Sequence, residues 1–165
     1  RQAGEPAAVL AAVRELVAAA GVGGMVGGQY LDVTARGELD AAALRHLHEL
    51  KTGRLIGASI VCVLLLEQLD QPATMPFRRF AVELGVLFQI VDDILDVTGD
   101  EAALGKPRGS DERHGKPTYV SVFGLDRARE LAADSHHKAR AALAEASAET
   151  ELLGQIADYV LTRQR

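Results

Sequence analysis

Asp92, Asp93 and Asp96 are carboxylates set inside a strongly apolar stretch, Gln89-Ile90-Val91-Asp92-Asp93-Ile94-Leu95-Asp96. Around them Leu84, Leu87, Phe88, Val91 and Leu95 recur at steps of one, three and four, which marks one buried face of a helix. At about 100° per residue the three aspartates project within a roughly 100° arc on another face. Like charges at i,i+4 repel, by roughly 0.2–0.5 kcal/mol per exposed pair. A divalent cation reverses the sign of that interaction, and Mg²⁺ takes hard oxygen ligands of this kind. A solvated acidic stripe is the alternative, and the residues downstream decide between them.

That segment reads Gly105-Lys106-Pro107-Arg108-Gly109-Ser110-Asp111 and then Gly115-Lys116-Pro117-Thr118-Tyr119. Its glycines and prolines break helices, so the spacing predicts a loop. Glycine allows close backbone approach to a ligand, and lysine supplies a compact charge suited to phosphate. Carboxylates for a metal followed by a basic loop for an anion are the parts needed to grip a metal-diphosphate. Neither Gly-Lys step is a Walker loop, since the preceding glycine spacing and the following Ser/Thr are missing. An EF-hand beginning at Asp96 fails as well, with Gly99 misplaced and no closing glutamate.

The elements that must carry these residues read as helices nearly throughout. Pro6 suits a helix start, and residues 7–20 continue it with high propensity. Gly21, Gly23, Gly24, Gly27 and Gly28 punctuate the chain and suit close helix packing rather than a dinucleotide fingerprint. A helix starting at residues 38–40 carries Leu44, Leu47, His48 and Lys51, and its apolar pattern runs toward Leu69. Pro72 and Pro76 predict a break before a long helix over 77–97, and residues 126–148 and 151–162 predict two more helices. His46 and His48, two apart on a helix, do not share a face and make poor joint metal ligands.

Composition agrees with an all-α fold. Of 165 residues 48% are hydrophobic, alanine and leucine are abundant, and only 4% are aromatic, which favours helix over strand. A net charge of −5 argues against nucleic acid as a partner. Cys62, the single cysteine, lies in an apolar run and reads as a small core hydrophobe. The apolar stretch at 55–66 is too short to span a bilayer, so no transmembrane segment and a cytoplasmic location are expected.

Taken in order, Gly27-Gly28-Gln29-Tyr30-Leu31-Asp32, Lys51-Thr52-Gly53, Phe88-Gln89-x-x-Asp92-Asp93-x-x-Asp96 and the two Gly-Lys segments resemble the trans-isoprenyl diphosphate synthases of the farnesyl and geranylgeranyl type. The resemblance runs from about Ala20 to the C-terminus. It implies one all-α domain over residues 1–165, a helical bundle forming the C-terminal part of the isoprenoid synthase fold. It implies Mg²⁺ as cofactor, an allylic diphosphate and isopentenyl diphosphate as partners, and prenyl transfer by ionisation, condensation and elimination.

Carried over residue by residue, Lys51 reaches the allylic diphosphate, while Thr52 and Gln89 direct oxygens at the forming carbocation. Lys106 and Lys116 add positive charge against diphosphate. Asp92 and Asp96 are the principal metal ligands, with Asp93 and Asp111 as nearer or outer-shell support. Val120 departs from the family, which often has proline there, and is expected to alter loop rigidity rather than chemistry. The family's first aspartate-rich motif has no counterpart here, so the chain is expected to be the C-terminal half of a longer synthase, inactive alone. Its apolar faces near 55–66 and 84–95 would then be uncovered and drive homo-oligomerisation or association with the missing half. The alternative is a non-catalytic subunit pairing with a complete synthase. A terpene cyclase is disfavoured, because its Asn/Ser/Glu metal motif is absent.

Overall fold

The long acidic helix organises the molecule, and its start is set by Asp70, whose carboxylate accepts from the Ala73 amide at 3.0 Å. In the computed structural model, which describes residues 4–34, 39–99, 109 and 115–164, this helix runs over Gln71–Thr98 and ends where the Gly99 amide bonds the Leu95 carbonyl. The break expected at Pro72 and Pro76 does not occur. Pro72 occupies the first turn, where its missing N–H has no intrahelical partner to lose. Pro76 lies inside the helix and is buried, so packing offsets its one forfeited hydrogen bond.

Among the described residues every regular element is helical. In chain order they are α1 (Pro6–Ala20), α2 (Met25–Thr34), α3 (Ala41–His48), a single π-helical turn (Glu49–Gly53), α4 (Arg54–Leu66), α5 (Gln71–Thr98), α6 (Tyr119–Phe123), α7 (Leu125–Ala144) and α8 (Glu151–Thr162). The stretch from Asp40 to Leu66 thus keeps the continuity expected of it, but with one widened turn inside.

The core lies between α5, α7 and α8. Helix α7 buries Ala128, Ala132, Ser135, Ala139 and Ala142, spaced four, three, four and three apart. Such a small-residue stripe lets α5 approach closely with Phe80, Leu84, Leu87, Val91 and Leu95, all buried. Ala157 and Val160 of α8 complete this cluster. A second layer packs α1 on α4, burying Ala8, Ala12 and Ala19 against the helix that contributes Ala58, Val61 and Leu64. Cys62 sits in that seam, its thiol 3.4 Å from the Ala12 carbonyl.

The face left open is not the one anticipated. The apolar residues of α5 at 84–95 are covered by α7, and of α4 only Val63 stands well exposed. Instead Val9, Leu10, Val13, Leu16 and Val17 of α1 and Met25, Val26, Tyr30, Leu31 and Val33 of α2 are exposed. The span Pro6–Thr34 is long and apolar enough to cross a membrane by length and composition, though the turn at Gly21–Gly24 divides it into two helices.

Candidate functional site

Lys51 and Thr52 lie in the π-helical turn, a rare geometry that occurs mostly as single turns and frequently at functional sites. Two glycines hold the turn in place. A Cβ on Gly28 would overlap the Lys51 backbone, and one on Gly85 would come 2.9 Å from the Gly53 Cα. Backbone therefore packs on backbone on both sides, from α2 and from α5.

Out of this turn the two side chains go to different partners. Lys51 Nζ donates to Asp32 Oδ2 at 2.7 Å, and Lys116 Nζ donates to the same oxygen at 3.2 Å. Burial pushes the Asp32 carboxyl up, but hydrogen bonds and positive charge from Lys51 and Lys116 outweigh it and hold the group below its ordinary value. Asp32 is 7% exposed at its side chain, whereas the two lysines are 30% and 37% exposed. One carboxylate thus gathers two partly open cations, leaving a local excess of one positive charge. The resemblance assigned both lysines to diphosphate and named Asp32 only within an upstream motif; the structure brings all three together.

Thr52 leads the other way. Its hydroxyl donates to Gln89 Oε1 at 3.0 Å, and Gln89 Nε2 donates to Asp93 Oδ1 at 2.8 Å. The other Asp93 oxygen accepts from the Tyr119 backbone N–H at 2.7 Å. That bond fastens the segment carrying Lys116 to α5. Thr118 starts α6 with a capping box, its hydroxyl accepting from Ser121 N–H while the Ser121 hydroxyl accepts from Thr118 N–H. Val120 falls in the first turn of this helix, where proline loses no intrahelical bond, so the departure at this position leaves the turn's hydrogen bonding intact.

His48 stacks on Tyr119 with ring centroids 5.6 Å apart, and it is 9% exposed. Burial first, and then the charge of Lys51, push its pKa down to about 4 against the opposing pull of Asp32. His48 is therefore neutral at pH 7, and its 3.9 Å separation from Asp93 is not an ion pair.

The three aspartates of α5 have three environments. Asp92 is half-exposed at its side chain, with Arg163 Nη2 at 3.8 Å. Asp93 and Asp96 are each only 2% exposed. Sequence periodicity put Asp93 on the same acidic face, but the structure turns it inward onto two protein donors. Arg163 itself lies 4.2 Å over the Phe88 ring and donates to the Phe88 carbonyl at 3.4 Å. Its role had no motif to announce it, since a lone arginine near a chain end carries no sequence signal.

Among the described residues no group of three acidic, histidine or cysteine side chains converges on one point. Lys106 and Asp111, expected to bind diphosphate and metal, lie outside the described residues. The donors present still suit Mg²⁺, which is commonly held by one or two carboxylates together with water and substrate phosphate. Asp92 already attracts a cation, the Arg163 guanidinium, and Asp96 stands one helical turn further on.

A helical bundle with these carboxylates on one long helix and clustered lysines beside it is the isoprenoid synthase fold. A family model for polyprenyl synthetase matches residues 7–160, and the chain belongs to that family. It is 40% identical over 158 residues to the farnesyl diphosphate synthase of Escherichia coli (strain K12), covering 93% of this chain and 53% of the relative. A geranyltransferase from Helicobacter pylori, solved with magnesium and isoprenyl diphosphate, superimposes with a TM-score of 0.80 at 31% identity, over 95% of this chain and 52% of that one. The geranylgeranyl pyrophosphate synthetase of Pyrococcus horikoshii Ot3, at 23% identity, shares the fold with a TM-score of 0.86 over 99% of this chain and 62% of the other. The chain spans about half the length of the curated relatives it matches.

Proposed function

We propose that this chain supplies the diphosphate-gripping half of a Mg²⁺-dependent prenyltransferase that condenses isopentenyl diphosphate with an allylic diphosphate. The observation that carries this reading is the pairing of Lys51 and Lys116 on Asp32, beside a helix whose Asp92 already attracts a cation. Asp92 and Asp96, with Asp111, would hold the metal, and Lys106 would add to the cationic surface. Mg²⁺, when bound, supplies charge neutralisation for the diphosphate leaving group.

The chain's own residues do the rest. Lys51 and Lys116 offer ammonium donors to diphosphate oxygens, and Asp32 keeps the two like charges within one pocket. Thr52 and Gln89 contribute neutral oxygen dipoles, which stabilise positive charge without forming a bond to it.

The test is Asp92→Ala in the protein that carries this chain, assayed for prenyl transfer with Mg²⁺. Activity should fall by about 100-fold or more, since even residues behind a metal's direct ligands are worth 10- to 100-fold. Near-normal turnover would overturn the metal role. The open apolar face of α1 and α2 favours a second reading, a subunit that associates with a longer synthase. Copurification of that longer partner, with no turnover by this protein without it, would select the second reading.

A further inference from the structure

The middle carboxylate of the acidic run faces protein rather than solvent. Asp93 Oδ1 takes the Gln89 amide N–H and Oδ2 takes the Tyr119 backbone N–H, and the residue is 2% exposed. An ionised carboxylate only accepts hydrogen bonds. It therefore selects the NH₂ end of Gln89 and turns the amide oxygen toward Thr52. That oxygen accepts the Thr52 hydroxyl proton at 3.0 Å. With its proton committed, Thr52 has only lone pairs left to present elsewhere.

We propose that Asp93 is a positioning residue: it fixes the donor–acceptor direction of the Asp93–Gln89–Thr52 chain, so that Thr52 presents its oxygen lone pairs rather than its hydroxyl proton to a developing positive charge. The proposal deepens the prenyl-transfer reading and rests on it. It separates Asp93 from Asp92 and Asp96, whose role is toward the metal.

Asp93→Asn tests the direction itself. The Tyr119 N–H is a fixed backbone donor, so the asparagine oxygen must face it, leaving the asparagine NH₂ toward Gln89. Gln89 must then flip, donate to Thr52 and free the Thr52 hydroxyl proton to point outward. In the protein that carries this chain, D93N should lower kcat by about 10-fold or more while Mn²⁺ affinity, read by electron paramagnetic resonance, stays at the wild-type value. The side-chain NH₂ resonances of Gln89, assigned by isotope labelling, should shift in D93N.

A D93N protein that loses Mn²⁺ affinity as Asp92→Asn does would make Asp93 a ligand and overturn the proposal. So would Gln89 resonances unmoved by D93N. A wild-type protein without prenyl transfer would instead sink the functional reading, and the Mn²⁺ and Gln89 measurements would still judge Asp93.

Discussion

The two sides of α5 and α4 are finished to different degrees. Where α5 meets α7 and α8, large side chains enter a stripe of alanines, and Phe80 and Leu87 are 0% exposed. On the outer side α1 and α2 bury only Ala8, Ala12, Ala19 and Gly28, while Leu10 stays 60% exposed and Val17 65%. Alanines do the packing there and the larger residues look outward, the reverse of a core. The functional side chains sit at the junction, with Asp32 on the open side and Asp93 on the closed one. Stability should therefore come from α5 and its partners, and association from α1 and α2.

The largest effect should come from breaking the closed side. Phe80→Ala removes a side chain with no exposure and should cost about 3–5 kcal/mol in urea unfolding. If the loss were under 1 kcal/mol, the contrast would collapse. Acid should act next. His48 is held neutral with a pKa of about 4, whereas in the unfolded chain it titrates at 6.5. Its contribution is complete above the unfolded value and is lost as pH falls from 6.5 toward 4, because the unfolded chain takes up the proton first; the loss should reach roughly 3 kcal/mol. His48→Phe keeps the stacking on Tyr119 and should flatten that slope. Asp32, whose pKa is lowered, loses its contribution only in a separate window below 3.8.

Gly28→Ala tests the junction. The added methyl would meet the Lys51 backbone, and the strain should cost about 1–3 kcal/mol and weaken diphosphate binding with it. The smallest stability effect belongs to the open side. Leu10→Ser with Val17→Ser should change stability by less than about 1 kcal/mol in total, yet reduce association in analytical ultracentrifugation. A large stability loss without any change in association would mean that α1 is covered from within the chain.

Most of the fold was legible because it rests on periodicity and end signals. Pro6, Asp40 and the helical patterns of α7 and α8 marked these helices to within a few residues of where they start, and the end of α5 likewise, while its start lies six residues earlier than expected. The interior proline was misread because burial, which the local pattern does not encode, holds Pro76 in the helix. The π turn has no residue signature, so Lys51 and Thr52 could be named but their divergence could not be foreseen. At the site, the family resemblance pointed to Lys51, Thr52 and Gln89 and residue type in the basic loop to Lys116, while the hydrogen bonds that these residues make came from tertiary packing. Asp93 shows the limit best: angular position on a helical wheel cannot tell a carboxylate facing an opening from one facing a backbone amide on another segment.

The widened turn at Glu49–Gly53 also acts as a phase shifter. It carries more residues than an ordinary turn, so the rows of side chains before and after it are offset around the common axis. Shortening it by one residue would rotate everything upstream by about 100° relative to α4. Leu44 and Leu47 would swing away from the interior they now fill, and Lys51 would lose its alignment with Asp32. In this stretch the count of residues matters as much as their kinds, and a single deletion there should be worse tolerated than most substitutions.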